Sequence, residues 1–162
     1  MAPKRKYTGV SDGPAAAKRA GTEEFVKQVH RLTDGALWNN GTWVVRNKNG
    51  KTTLSVHATG RAMDLSYRKM GAKGKPNGRQ HAQQLIRLLV ANNETLGVEM
   101  ILDYFPTPHG RGWRCDRQEW TKYTKATITG APGGDWIHVE ISPTMADSPQ
   151  AVKAAFAKVK QI

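Results

Sequence analysis

Two short segments of the sequence contain residues that could hold a metal ion. The first runs from Ser55 to Asp64 and carries His57 near its start. Gly60 lies between the two candidate ligands, and glycine permits a tight bend of the chain. Such a bend can bring the His57 imidazole and the Asp64 carboxylate onto one metal. The small side chain of Ala62 keeps the space beside them clear.

The second segment covers residues 135–142 and begins with Asp135. Its alternation is typical of a strand, which places Trp136, His138 and Glu140 on one face. The opposite face is entirely aliphatic: Ile137, Val139 and Ile141. The aliphatic face should pack on the core, so we expect His138 to point into a cleft. Asp135 follows two glycines and can fold back beside His138.

Together the two segments predict a mononuclear zinc site. His57, Asp64 and His138 supply three protein ligands, and catalytic zinc sites commonly have three and leave a fourth position for water. Zinc lowers the pKa of that water to about 7 in favourable cases. A nearby carboxylate that is not a ligand can then accept its proton. Asp135 is the candidate for this catalytic role.

The elements that must position these residues form a mixed pattern. We predict an α+β fold in which helices pack on a small, mainly antiparallel sheet. Thr22 can cap the first helix. The predicted helices are 22–33, 79–93 and 149–160, and the predicted strands are 42–47, 52–58, 61–67, 97–105 and 135–142. Residues 47–51 are predicted as a hairpin turn, 68–78 as a basic loop and 106–134 as irregular.

Length and composition indicate one folded domain. The chain has 162 residues, and we expect a flexible basic tail at 1–21 followed by a single domain at 22–162. The N-terminus is basic but has no apolar stretch after it, so we expect synthesis in the cytoplasm without a standard export signal. No apolar run reaches membrane-spanning length. Cys115 is the only cysteine, which excludes an internal disulfide.

The charge balance indicates an anionic partner. Lys and Arg number 25 against 13 Asp and Glu, giving a formal charge of +12. Such a charge attracts polyanions. Nucleic acid and the phosphate-rich polymers of a cell envelope are both open as partners.

The two segments also resemble a known family. The pattern Ser-x-His-x-x-Gly-x-Ala-x-Asp at 55–64, followed far downstream by Asp-x-x-His at 135–138, resembles the zinc DD-peptidases. These include D-alanyl-D-alanine carboxypeptidases and dipeptidases and phage L-alanyl-D-glutamate endopeptidases, and they share a fold with the Hedgehog signalling domain. The phage branch often has Asp-x-Pro-His-Phe-Glu at the second motif. This chain matches at Asp, His and Glu and departs at Ile137 and Val139.

The resemblance implies a function and a set of roles. Residues 22–162 would form a zinc peptidase-like domain that hydrolyses a stem-peptide bond of peptidoglycan. One zinc ion would polarise the scissile carbonyl and supply hydroxide, and Asp135 would carry the proton. Ser55 and Arg61 are predicted at the substrate, with Arg46 as another choice for the substrate-binding arginine. Such an enzyme suits a phage lysin that acts on the cell wall after release, or a virion-associated lysin.

Other interpretations of the same residues stay open. His57 and Asp64 could be a structural hydrogen-bonded pair, and Asp135 could cap a turn. Glu140 could be a solvated strand residue or a partner of a ligating histidine. The chain could also be a catalytically weak or inactive protein on the same fold that associates with a virion or DNA. A zinc-dependent nuclease is a further alternative.

Overall fold

The computed structural model describes residues 2–45, 47–48 and 53–160. Within these ranges the chain is an α+β protein with a six-stranded antiparallel sheet and five α-helices, which confirms the predicted fold class. The strands are β1 (Trp38–Asn39), β2 (Ala62–Ser66), β3 (Val98–Asp103), β4 (Arg111–Arg114), β5 (Glu119–Lys122) and β6 (Trp136–Ile141). The helices are α1 (Ala20–Leu32), α2 (Gly78–Ala91), α3 (Asn93–Leu96), α4 (Pro143–Asp147) and α5 (Pro149–Ala157). The strand order across the sheet is β1-β2-β6-β3-β4-β5.

Strand β6 lies in the middle of the sheet and fixes its two faces. It pairs with β2 on one side and β3 on the other, so that His138 lies opposite Asp64 and Leu102. The predicted alternation is confirmed, because the aliphatic residues of β6 are fully buried: Ile137, Val139 and Ile141. Side chains at alternate positions point to opposite faces of a strand. His138 and Asp64 therefore share the face that is turned away from this core.

Helices cover the aliphatic face. Phe25 of α1 meets Phe156 of α5 edge to face, with ring centroids 4.9 Å apart. Leu85 and Leu89 of α2 are fully buried in the same apolar cluster as Ile137. Burial of each such side chain stabilises the fold by about 1.5–3 kcal/mol relative to exposure. This packing makes the sheet a rigid platform for the opposite face.

The segment before Gly60 differs from its prediction. The predicted strand 52–58 is in fact a 3₁₀ helix, Val56–Thr59, in the part of the segment that the structure describes. The Ser55 side chain accepts a hydrogen bond from the His57 amide at 3.3 Å, and Gly60 ends the turn in the left-handed region with φ 75°. A serine that caps a helical turn competes with strand pairing. His57 therefore stands on a short helical turn instead of a strand end.

The predicted hairpin before this turn is only partly described. Residues 42–45 form no strand, and Asn47 pairs with Leu54 in an isolated bridge, so the strand predicted at 42–47 is wrong over its described part. Most of the turn predicted at 47–51 lies outside the described residues, as does Arg46.

The segment 106–134 is more regular than predicted. It contains β4 and β5, which extend the sheet beyond β3. Trp113 of β4 is almost completely buried and lies opposite Trp120 of β5. Each strand has only four residues, and their many polar side chains hide the alternation that would reveal a longer strand.

Helix α1 begins two residues before its predicted start. Thr22 does not cap it, because this residue lies inside the first turn and is fully buried. Its hydroxyl instead donates to the carbonyl oxygen of Gly60 at 2.7 Å. The hydroxyl thus ties α1 to the turn that carries His57.

Residues 5–15, which we name the N-terminal strap, contact the body of the fold at several points. The Arg5 amide donates to the Cys115 carbonyl oxygen at 3.0 Å, and the Ala15 amide donates to that of Ala58 at 2.8 Å. The composition of residues 1–21 predicts a flexible tail, yet in the structure the strap has hydrogen-bond partners near both of its ends. No helix in the described ranges has the length and apolar character needed to cross a membrane.

Candidate metal centre

Three side chains converge on the face of the sheet opposite the helices. Asp64 Oδ2 lies 3.2 Å from His57 Nε2, and Asp64 Oδ1 lies 3.2 Å from His138 Nδ1. One potential ligand atom from each residue lies within 4.8 Å of the others. Both histidines are buried, with 5% and 7% exposure for His57 and His138. The structure therefore brings together the three residues that the sequence predicts as metal ligands.

The fold explains this convergence. Asp64 and His138 are direct partners on the adjacent strands β2 and β6, so their side chains project from the same face. His57 arrives from the 3₁₀ helix, which Gly60 connects to the start of β2. The two imidazole rings meet edge to face, with centroids 5.0 Å apart. A strand pair thus supplies two candidate ligands and a short turn supplies the third.

Each imidazole uses its other nitrogen for a second contact. His57 Nδ1 lies 3.3 Å from the Thr42 carbonyl oxygen, and His138 Nε2 lies 2.9 Å from Glu140 Oε1. Oxygen acceptors at these positions favour a proton on those nitrogens, which leaves His57 Nε2 and His138 Nδ1 free to bind a cation. Metal-ligating histidines almost always have such a partner. Glu140 fits the partner role and is only 3% exposed, so it is not a solvated strand residue.

The electrostatics of the cluster favour a cation. Burial alone would raise the pKa of Asp64, but hydrogen bonds with His138 and His57 hold it well below its usual range. Burial alone would lower the pKa of His138, but hydrogen bonds with Asp64 and Glu140 raise it to about 10. Burial likewise opposes a charge on Glu140, yet its contact with His138 lowers its pKa. Surroundings that favour a proton on His138 also favour a divalent metal ion among these groups.

The donor set fits zinc. Two imidazole nitrogens and one carboxylate oxygen match the ligand types and the number found in catalytic zinc sites. Nitrogen donors argue against magnesium and calcium, which take oxygen ligands. Imidazole also suits copper, iron and nickel.

Asp135 lies at the edge of this centre instead of within it. It immediately precedes β6, and its side chain is 41% exposed and 4.0 Å from Arg68 Nε. The Tyr67 amide donates to its carbonyl oxygen at 3.0 Å, which fixes its backbone beside the end of β2. Its catalytic role therefore stays a prediction.

The two residues predicted at the substrate, Ser55 and Arg61, are both buried. Ser55 is buried and its hydroxyl oxygen caps the turn of His57. Arg61 is fully buried, and its guanidinium donates to Asp12 at 3.0 Å and to the Ile141 carbonyl oxygen at 2.6 Å. These contacts stabilise the elements that carry the candidate ligands, and a role of either residue at the substrate stays a prediction.

Two aromatic residues lie beside the centre. Trp136 was predicted on the strand face of His138, whereas Tyr104 had no signal in the sequence. Tyr104 stacks on Trp136 with centroids 4.5 Å apart, and Trp136 is on the same face of β6 as His138. Burial raises the pKa of Tyr104, and the nearby negative charge of Asp64 adds to the shift. The Tyr104 hydroxyl therefore stays neutral and can act as a hydrogen-bond donor. Proximity between β3 and β6 creates this pair, which local sequence cannot reveal.

Comparisons with protein-family models, with curated proteins and with solved structures found no match for this chain. A function must therefore be inferred from the residues of the site.

Proposed function

We propose that the chain is a zinc metallopeptidase that hydrolyses stem-peptide bonds of peptidoglycan, on a fold of the Hedgehog/DD-peptidase type. The observation that carries the proposal is the cluster of His57, Asp64 and His138 with an oxygen acceptor behind each imidazole. These three residues occupy the metal-ligand positions of the motifs that resemble the zinc DD-peptidases. An antiparallel sheet with helices on one face is compatible with that fold.

The candidate ligands and Asp135 would have different roles in the reaction. Zinc, when bound, lowers the pKa of a bound water and polarises a carbonyl oxygen. His57, Asp64 and His138 would hold the ion. Asp135 accepts a proton at its carboxylate and returns it to the leaving amine. Its exposure and its position before β6 leave room for a peptide to approach.

The aromatic pair would form one side of the substrate site. Stacked rings hold each other in place, which gives Tyr104 and Trp136 a defined surface against which a peptide can lie. The substrate class itself rests on the resemblance. We propose a phage lysin-type endopeptidase that acts on the cell wall after release or from a virion.

One set of variants tests this function. We expect the wild-type protein to bind about one zinc ion and to release amino groups from purified cell walls. Asp64→Asn should lose zinc, because the variant replaces the anionic ligand. Asp135→Asn should retain zinc and lose about 100-fold or more of the hydrolysis rate, as expected for a lost general base. Elemental analysis and an amino-group assay measure the two properties.

A matched control separates these effects from general charge loss. Asp34 is almost fully exposed on the side chain and contacts Lys75 at 3.5 Å. Its φ is 50°, a conformation that asparagine tolerates. Asp34→Asn should therefore leave both zinc content and hydrolysis unchanged. Wild-type protein that contains zinc but releases no amino groups from walls of any peptide chemotype would show that the peptidase proposal is wrong.

A further inference from the structure

The N-terminal strap crosses the sheet from β4 to the turn that carries His57. At one end the Arg5 guanidinium donates to Asn93 Oδ1 at 2.9 Å, beside the Arg5 backbone contact with Cys115. At the other end Ala15 binds Ala58, the residue after His57, and accepts a hydrogen bond from Trp43 Nε1 at 3.2 Å. The strap is therefore attached to elements on both sides of the candidate metal centre.

Between these ends, Tyr7 reaches the centre itself. Its hydroxyl lies 2.6 Å from Glu140 Oε2, while Oε1 of the same carboxylate lies 2.9 Å from His138 Nε2. The Arg114 guanidinium lies 4.2 Å from the Tyr7 ring and holds the ring in place. Burial and the Glu140 charge raise the pKa of Tyr7, so its hydroxyl keeps its proton and donates it. A chain of hydrogen bonds thus runs from Tyr7 through Glu140 to His138.

Each hydrogen bond in the series from Tyr7 to His138 restricts the orientation of the next side chain. Glu140 is 3% exposed, so few water molecules can replace a lost partner of its carboxylate. With Tyr7 on one oxygen and His138 on the other, both the position and the rotation of the carboxylate are fixed. The Glu140 contact in turn sets the orientation of the His138 ring, which directs Nδ1 toward Asp64. Loss of such an outer partner typically reduces metal affinity by about 10- to 100-fold.

We propose that Tyr7 is a positioning residue of the metal centre and that the strap is a structural part of that centre. The proposal rests on the metal site of the proposed function but not on its peptidase activity. Tyr7 acts through Glu140 and contacts neither the ion nor the substrate. Metal affinity therefore depends on whether the strap, which is far from the ligands in sequence, keeps its place on the fold.

The neighbouring residue provides a matched control. Thr8 Oγ1 donates to Glu99 Oε2 at 2.9 Å, and the Thr8 amide donates to Glu99 Oε1 at 2.8 Å. Glu99 is as buried as Glu140, and its carboxylate lies 3.9 Å from Arg61 Nη1; among the described residues it makes no direct contact with His57, Asp64 or His138. Tyr7→Phe and Thr8→Val each remove one hydroxyl from one buried carboxylate. Only the first variant breaks the connection to His138.

The test measures Zn²⁺ affinity by competition with a chromophoric chelator and records the visible spectrum of the Co²⁺-substituted protein. We expect Tyr7→Phe to weaken zinc binding by about tenfold and to shift the Co²⁺ ligand-field bands, because the His138 ring is less constrained. Thr8→Val should stay within about twofold of wild type, with an unchanged spectrum. The double variant Glu140→Gln, Tyr7→Phe should lose less zinc affinity than the product of the fold-losses of the two single variants, since both substitutions act through one carboxylate.

Several outcomes decide between the explanations. Equal losses of zinc affinity in Tyr7→Phe and Thr8→Val, with unchanged Co²⁺ spectra, would overturn the positioning role and indicate general destabilisation. Zinc binding without wall hydrolysis in the wild type would overturn the peptidase proposal, while the comparison of the two variants still decides the role of Tyr7. Failure of the wild type to bind zinc would overturn both.

Discussion

The carboxylates of Asp64 and Glu140 contact opposite nitrogens of one imidazole and have different roles. Asp64 meets His138 Nδ1 and also meets His57, so it lies where a shared cation would bind. Glu140 meets His138 Nε2 and Tyr7, and contacts no other candidate ligand in the described chain. The position of a carboxylate around the ring thus decides whether it can be a ligand or can orient one.

Cys115 gives a residue-scale prediction about pH and reactivity. The thiol is fully buried, and its Sγ lies 3.5 Å from the Arg5 carbonyl oxygen of the strap. Burial raises the pKa of Cys115 to about 11. At pH 8 only about one thiol in a thousand is then a thiolate, the form that attacks a disulfide reagent. We expect native protein to react at least about 100-fold more slowly than unfolded protein with an aromatic disulfide reagent.

The reaction is followed by the absorbance of the released thiolate. Protein unfolded in guanidinium is the control and should react rapidly, with one thiol per chain. The rate in native protein should rise as the pH approaches 11, since the thiolate fraction grows with pH. Native protein that reacts as fast as unfolded protein at pH 8 would contradict both the burial of the thiol and its contact with the strap.

At the scale of elements, α1 packs closely on α4 through a glycine. Gly21 is buried, and a Cβ atom added to it would overlap the carbonyl oxygen of Met145. Helix propensity alone favours Gly21→Ala by about 1 kcal/mol. The overlap with backbone atoms should outweigh this gain, so we expect net destabilisation of about 2 kcal/mol. Urea unfolding measures the change as a lower midpoint.

Lys27 supplies the control on the same helix. Its side chain is exposed, and Lys27→Ala should change the free energy of unfolding by less than about 0.5 kcal/mol. If Gly21→Ala is as stable as this control or more stable, α1 and α4 are not as close as described.

Periodic elements were predictable from the sequence because their pattern is local. The alternation in β6 and the apolar stripe of α2 each depend on which face of one element is buried. The candidate ligands His57, Asp64 and His138 were also predictable, because they fall in two short motifs. The position of His57 on a helical turn was not predicted, since one serine cap overrides the strand-like composition around it.

The strap was not predictable because its order depends on distant partners. Its composition lacks periodicity and is typical of a flexible segment. Tyr7 and Glu140 are 133 positions apart, and Arg5 and Cys115 are 110 apart. No local pattern identifies such pairs. They form because the fold brings buried carboxylates and carbonyl oxygens near the path of the N-terminus, where they need donors.

At the scale of the whole molecule, the chain has a net charge of +12. Some of its basic side chains are paired with other residues of the fold, and others are exposed to solvent. Arg5 and Arg19 of the N-terminal region have partners inside the fold: Arg5 binds Asn93, and Arg19 binds Asp12 and Asp147. Lys4, Lys6 and Lys18, by contrast, are exposed, and of these Lys18 lies 3.8 Å from Glu23. An association with DNA or another polyanion through this region would therefore depend on these lysines.

This division changes how the rival DNA-associated function is tested. Deletion of residues 1–19 would remove Tyr7 and Arg5 together with the lysines, so it would disturb the candidate metal centre as well as the charge. The double variant Lys4→Gln, Lys6→Gln removes two charges and keeps the strap contacts. If this surface binds duplex DNA, the slope of log affinity against log salt should fall by about 1 to 2, since each phosphate contact contributes about 0.9.

A second double variant, Lys153→Gln with Lys158→Gln, removes the same charge from exposed positions at the other end of the chain. Long-range attraction by net charge alone would change binding equally in both double variants. We expect the Lys4 and Lys6 variant to reduce the slope and the affinity more, with zinc content unchanged in both. Equal effects, measured by fluorescence anisotropy with labelled duplex at several salt concentrations, would show that the N-terminal lysines form no specific polyanion surface. The charge would then act through the molecule as a whole, as expected for a basic protein attracted to an anionic cell envelope.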